Sequence, residues 1–453
     1  MESAHIPPKV TSLRSARSAL TRRVRSAEQT FYEIQRRNIS TLRQQPLAEI
    51  SGSFGDLGSL LPLLIALTTT GSISLSSTLV FSGLANIITG IVFGIPLPVQ
   101  PMKAIAGVAI GEKFGPDVTA SAGLFVAGAI GLLTVTGTLQ WATNHVPVPV
   151  VKGIQVGTGI SLATSAGKLY HANAANNVVL AVAFVGLLLS GRYQRVPYAL
   201  LVILAGVLWI VIREFEYYQP TKRHWPNLSL WKPGLFAPST DSFSKGMLEA
   251  GLGQLPLTAL NSIIAVTFLA EDLLPDVKPP STTALGFSVA LFNLVGCWFR
   301  AMPICHGSGG LAAQYRFGAR SGSSVIFLGV IKLLLGIFAA DVGLWVFEHL
   351  PNVFLCILVI AAGLELAKVG ESLNTEEARD LTQRRKLDQD LTGEERKRRW
   401  MIMLMTIAGI MAFHNTAIGF LAGLLCYWCY LITDMLENRI RQGRIHLHDG
   451  TVQ

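Results

Sequence analysis

From position 46 to position 435 the chain is a nearly unbroken succession of apolar stretches, most of them about twenty residues long. About 20 apolar residues are needed to cross a bilayer as a helix. In lipid every backbone N–H and C=O must be satisfied within the protein. Candidate spans fall at 49–69, 72–93, 96–112, 118–141, 147–166, 176–191 and 196–213, and after a polar loop at 244–270, 279–298, 302–318, 320–341, 350–369, 399–413 and 415–434. The expected fold is therefore an all-α, multi-spanning membrane protein of about fourteen spans.

Most of the charged residues lie between and outside these stretches. Of the 453 residues half are hydrophobic and 14% charged, with a formal net charge of +9. Residues 1–45 hold nine Lys/Arg against three acids. Such a segment beside a membrane marks the cytoplasmic side and suits anionic lipid; it does not indicate nucleic acid. The segment 371–399, with eight basic and eight acidic residues, reads as a solvated cytoplasmic loop. The expected divisions are a basic tail (1–45), a first membrane repeat (46–213), a polar connecting loop (214–243) containing the sequon Asn227-Leu228-Ser229, a second membrane repeat (244–435) and a short tail (436–453). Both termini are expected in the cytoplasm. No apolar signal core precedes position 46, and Pro7-Pro8 with Glu2 argue against a transit peptide. A plasma membrane or a vacuolar membrane fits equally. The five cysteines lie in or beside apolar stretches, where packing is the ordinary role.

Two spans are broken. The third contains Pro96, Pro98 and Pro101, followed by Lys103. Three prolines forbid a continuous helix before about position 101, where a new helix can start. The tenth has Pro303 and then Cys305-His-Gly-Ser-Gly-Gly310. Phe93-Gly-Ile-Pro96-Leu-Pro-Val-Gln100 resembles Phe299-Arg-Ala-Met-Pro303-Ile-Cys-His306 with one residue inserted, Leu57-Gly58 resembles Leu252-Gly253, and Gly159-Ile-Ser-Leu-Ala163 resembles Gly363-Leu-Glu-Leu-Ala367. Three matches in the same order indicate an internal repeat. Seven spans per repeat would invert the second half, the 7+7 arrangement in which paired broken spans hold a substrate at mid-membrane.

Helix tips at membrane depth offer free N–H groups and the positive end of a dipole, which suits a tetrahedral oxyanion. The first tip adds Gln100 and Lys103. The second adds His306, the Ser308 hydroxyl and the glycines Gly307, Gly309 and Gly310, which let a ligand approach the backbone. Lys103 is the one Lys/Arg between Arg43 and Lys113; a lysine at such depth contacts the anion, pairs with Asp56, or extends to the interface. Gln254 and Asn261, two turns apart, are further candidates, with helix–helix hydrogen bonding as their plainer role. Asp56 and Glu365 are the carboxylates that could couple transport to protons or balance charge; Glu365 could instead pair with Lys368. No phosphate loop, Ser-His-Asp set or metal-ligand cluster occurs, so no enzyme, cofactor or metal is expected.

The segments Gly52-Ser-Phe-Gly-Asp-Leu-Gly58, Pro98-Val-Gln-Pro-Met-Lys103 and Cys305-His-Gly-Ser-Gly-Gly-Leu311, with Gln314-Tyr-Arg-Phe-Gly-Ala-Arg320, resemble the molybdate transporter family of the sulfate permease superfamily. The resemblance runs from about 46 to 435. It implies core and gate bundles that slide past each other, and molybdate as substrate. Sulfate permeases usually carry a cytoplasmic STAS domain; the 19 residues after position 434 are too few for one, as in the molybdate branch. Expected partners are the oxyanion and the bilayer, with a homodimer left open. A sulfate or other oxyanion permease, a nucleobase permease and a non-transporting membrane sensor are the alternatives. The lysine and the hydroxyl-and-glycine tip favour an anion over a nucleobase.

Overall fold

The structure, a computed structural model, describes residues 29–55, 57–139, 141, 146–167, 178–182, 185–186, 198–216, 230–375 and 391–449. Helix α1 covers 29–44 and is followed by α2 (Pro46–Ser53), α3 (Leu57–Thr69) and α4 (Leu75–Phe93). Strand β1 (Val99–Pro101) leads into the short helix α5 (Lys103–Gly111), then α6 (Pro116–Val135), α7 (Val148–Gly167) and α8 (Tyr198–Glu216). The second half opens with α9, one helical run over Thr240–Leu273. It continues with α10 (Thr282–Gly296), β2 (Ile304–His306), α11 (Ser308–Arg316), α12 (Ser323–Phe338), α13 (Ala340–His349), α14 (Asn352–Ala367), α15 (Gly393–Phe413) and α16 (Thr416–Asp449). Among the described residues six helices are long and apolar enough to cross a membrane, or seven if α12 and α13, bent by 87°, form one span. The fourteen counted in the sequence also include shorter helices such as α3 and the broken segments.

The two halves repeat each other in detail. Helices α4 and α10 both start at a serine, Ser74 or Ser281, whose side chain accepts an N–H of the first turn. After each helix one residue takes a left-handed conformation, Gly94 (φ 66°) and Arg300 (φ 58°). Prolines then keep the chain extended, and a strand and a nine-residue helix follow. The strands pair antiparallel, Val99 with His306, Gln100 with Cys305 and Pro101 with Ile304. This two-stranded sheet is an addition to the helical fold read from the sequence. It gives the extended segments backbone partners where every strand residue is buried.

Helix crossings follow the same two-fold relation. Helix α4 packs on α12, and α10 on α6. Self-related helices α7 and α14 cross at Gly159 and Gly363. A Cβ on either glycine would lie 2.5 Å from the other's carbonyl oxygen. These are two of the residues matched between the halves above. Between apolar helices in lipid, close contact of small residues supplies the attraction, because hydrocarbon surroundings remove the hydrophobic drive. The largest buried side chains, among them Ile65, Leu67, Ile95, Leu97, Met102, Ile105, Ile263 and Ile264, belong to one buried apolar cluster that also takes in Cys305 of β2.

The repeat register differs from the one read in the sequence. With β1 matched to β2 and α5 to α11, Pro98 rather than Pro96 corresponds to Pro303, and Pro101 rather than Gln100 corresponds to His306. Helix α5 starts at Lys103, two residues after the expected Pro101, because Pro101 belongs to the strand. Residues 29–44, counted with the basic tail, form a helix.

Candidate functional site

The candidate site is the gap between the first turns of α5 and α11. Their N-cap residues, Met102 and Gly307, are extended and make no side-chain cap. The tips are locked together by the sheet and by Met102 N–H, which donates to Pro303 O at 2.8 Å. First-turn N–H groups have no partner within their own helix and carry the positive end of its dipole.

Strand alternation decides which side chains share this gap, since paired residues of an antiparallel ladder point to one face. Gln100 and Cys305 face α3 and α9. Val99, Ile304 and His306 face α4 and α10, with Ala85 and Phe292 packed against Val99 and Ile304.

On the front face the expected residues converge. Gln100 is 2% exposed and its Nε2 has no hydrogen-bond partner. Its amide packs on the second tip so closely that a Cβ on Gly307 would lie 2.3 Å from Oε1, and one on Gly310 2.8 Å from Nε2. Ser308 Oγ donates to Asn261 Oδ1 at 2.8 Å. Lys103 is partly buried at the first residue of α5, and it and Ser262 lie within interaction range of the Cys305 thiol. Gln254 ties α9 to the first tip: its Oε1 accepts the Ala104 N–H at 3.0 Å, and its Nε2 donates to Thr258 Oγ1 at 2.9 Å. Gln254 thus acts here as an acceptor toward the tip, not as the donor expected for an oxyanion. Gly309 has open space where a Cβ would stand.

His306 is not brought to the gap. It corresponds to the last strand residue and points to the back face, 1% exposed. Its Nε2 is 2.9 Å from Ser288 Oγ on α10, and its ring meets Phe93 and Phe292 edge-on at 5.8 and 6.3 Å. Its Nδ1 is buried without a partner. His306→Ala is expected to cost about 1–3 kcal/mol of stability through the lost buried hydrogen bond, seen as a lower unfolding temperature in detergent, with ligand affinity near that of the unaltered protein. A loss of affinity without loss of stability would return the imidazole to the site. Asp56 and the side chain of Glu365 lie outside the described residues, as does Asn227.

Sequence reasoning missed the residues that anchor the strands. Asn86 Oδ1 accepts the Val99 N–H at 2.6 Å, and Asn293 Oδ1 accepts the Ile304 N–H at 2.7 Å, so the first residue of each strand is held by an asparagine from the preceding helix. The Ile304 carbonyl accepts from Asn293 Nδ2 at 2.6 Å, whereas the matching Val99 carbonyl accepts from Lys332 Nζ at 3.3 Å. Lys332 is 5% exposed and the one charged residue of α12. A lone ionisable residue in an apolar span was a legible signal.

Chemically, this arrangement offers backbone N–H groups from two helices, an amide donor and a cation, in a site walled by buried apolar side chains. Among the described residues no group of three or more His, Cys, Asp or Glu could hold a metal ion.

A profile of the family described as "Molybdate transporter of MFS superfamily" matches residues 48–162 and 246–366, one segment in each repeat. The chain is 34% identical to Molybdate transporter 2 of Arabidopsis thaliana, over 85% of this chain and 87% of that one. The chain belongs to the molybdate transporter family. Molybdate transporter 1 of Chlamydomonas reinhardtii is 31% identical, over 85% of this chain and 91% of its own length. In fold this family member is similar to SLC26A9, with a TM-score of 0.60 at 14% identity, over 87% of this chain and 66% of that one. The chain thus spans just under two thirds of that protein. It is also similar to the transmembrane domain of the cyanobacterial bicarbonate transporter BicA, with a TM-score of 0.56 at 12% identity, over 84% of this chain and 96% of that one. Although the family description names the MFS superfamily, the fold likeness is to the SLC26 type. With its apolar helices, this family member is an integral, multi-pass membrane protein and not an enzyme.

Proposed function

We propose that the protein carries molybdate across a membrane by alternating access, with the oxyanion held in the gap between the α5 and α11 tips. The observation that carries this reading is the pairing of two uncapped helix N-termini across a two-stranded sheet. Beside them lie the unpartnered Gln100 amide and Lys103. Such tips bind a doubly charged, tetrahedral oxyanion through several N–H donors at once. Relatives named as molybdate transporters, more than 30% identical over most of the chain, support the choice of oxyanion. Because α5 and α11 run from the sheet toward opposite sides, movement of the bundle that carries them past α7 and α14 would expose the gap to each side in turn.

The test is uptake of labelled molybdate into vesicles containing the purified protein, with sulfate as competitor. Uptake above that of empty vesicles, reduced little by equimolar sulfate, is expected. Uptake equal to that of empty vesicles would end the proposal, and equal competition by sulfate would make the protein a general oxyanion permease.

A further inference from the structure

Helix α1 is built for a surface, and its bonds tie it to the bundle that holds the site. Its inner face closes over the ends of α4 and α12. Asn38, 3% exposed, donates to Gly90 O at 3.1 Å and accepts the Gly322 N–H at 2.9 Å. Its carbonyl accepts from Ser323 Oγ at 2.8 Å. Arg37 donates to Gly94 O at 2.9 Å and also to Arg320 O, and Gln35 Nε2 donates to Ile91 O at 2.7 Å. These bonds satisfy the Gly90 and Ile91 carbonyls near the end of α4 and the Gly322 N–H just before α12. The two helices cross at Gly83–Gly329 and Gly90–Gly322. They also carry Asn86 and Lys332, the anchors of β1.

The remaining faces of α1 divide sharply. At about 3.6 residues per turn, Phe31, Leu42, Ile39 and Tyr32 form one flank next to the inner face, with the bonded Gln35 between Leu42 and Ile39. They are 50%, 40%, 52% and 73% exposed. Arg43 and Arg36, both exposed, come next around the helix, followed by the polar Ser40, Glu33 and Gln44. The apolar flank meets the lipid-facing row of α4 (Leu84, Ile88 and Val92, 39–46% exposed) at the point where Gln35 reaches Ile91. A helix with an apolar flank, an arginine edge and a polar back lies in the membrane interface, with the arginines at headgroup level.

We propose that α1 is an interfacial strap whose Arg36 and Arg43 bind anionic phospholipid headgroups while Phe31, Tyr32, Ile39 and Leu42 enter the membrane surface. Anionic lipid thereby stabilises the α4–α12 pair and, through it, the strand pair at the site. The charge balance of α1, Arg36, Arg37 and Arg43 against Glu33, selects an anionic surface. Each arginine near such a surface contributes on the order of fivefold in membrane affinity. The consequence for transport rests on the function proposed above; the consequence for stability does not.

The full chain is purified and placed in phosphatidylcholine vesicles with and without about a third phosphatidylserine (a share chosen to resemble an anionic leaflet), and both thermal unfolding and molybdate uptake are measured. The anionic vesicles are expected to raise the unfolding midpoint and to increase uptake severalfold. R36Q/R43Q should match the unaltered protein in neutral vesicles and lose both gains in anionic ones, and R36K/R43K should keep them. Retention of the gains by R36Q/R43Q overturns the proposal. So does stimulation of neutral vesicles by soluble glycerophosphoserine, which would assign the effect to a free headgroup. Ile39→Ser, which leaves the arginines intact, should weaken both gains. If no vesicle takes up molybdate, the transport proposal fails, while the unfolding measurement still decides the role of the lipid.

Discussion

Lys103→Ala is expected to weaken molybdate binding by roughly 10- to 150-fold, the equivalent of about 1.5–3 kcal/mol for a hydrogen bond to a charged group. The residue opens α5, so its ammonium and the first-turn N–H groups act on the same space. It is partly buried, which limits screening by salt. The repeat-related position is Ser308, already joined to Asn261. The site is therefore asymmetric, a cation on one tip and a hydroxyl on the other. Lys103→Arg should retain most of the affinity, because it keeps the charge and lengthens the side chain, whereas Lys103→Gln should behave like alanine. Calorimetric titration at fixed ionic strength measures all three. Unchanged affinity in Lys103→Ala and Lys103→Gln would mean that the ammonium pairs with Asp56 or extends to the interface, and that the N–H groups bind the anion unaided.

The second large effect concerns three glycines that look alike in the sequence and differ in the structure. At Gly307 a Cβ would meet Gln100 Oε1 at 2.3 Å, and at Gly310 it would meet Pro98 Cγ at 2.6 Å. Gln100 is a long side chain, but it is 2% exposed and wedged between the tips, so it cannot swing clear. Overpacking of this kind costs about 1–3 kcal/mol. Here it also forces the tips apart, so G307A and G310A should lower the unfolding temperature and abolish uptake. G309A adds a methyl to open space in the first turn of α11, where alanine favours the helix over glycine. It should unfold at or above the temperature of the unaltered protein. If the oxyanion lies where that methyl points, G309A will bind molybdate weakly while folding well. Normal binding in G309A would move the ligand toward α5. Normal stability in G307A would show that the seam between Gln100 and α11 is looser than its contacts indicate.

Much of this architecture was open to reading before the fold. Pro96, Pro98, Pro101 and Pro303 can only break a span, and a break at membrane depth needs a partner. Gly159 and Gly363 matched in sequence and meet in space. Gln100, Lys103, Asn261, Ser308 and the glycine run all border one gap. Register was not legible. Strand pairing sends side chains to opposite faces with a period of two, so one residue of misalignment exchanges front for back. Matching Gln100 to His306 put both in the site, whereas pairing Gln100 with Cys305 turns His306 toward Phe93 and Phe292. Helix α1 was hidden because its residues were counted with the basic tail, and only its contacts with Gly90, Gly94 and Gly322 reveal an inner face.

The sequence by itself determined that the chain crosses a membrane, that it is built twice over, and that each half is interrupted where helix tips can face a ligand. Those properties follow from local chemistry: hydrocarbon excludes unsatisfied backbone, proline removes a donor, and glycine admits close approach. The tertiary structure alone decided which side chains share the gap. That choice depends on hydrogen bonds between residues about two hundred positions apart, such as Met102 to Pro303, and on asparagine and lysine anchors that fix the strands to neighbouring helices. No local pattern encodes such partners, because each side chain's direction is set by a pairing register that exists only once both halves are folded together.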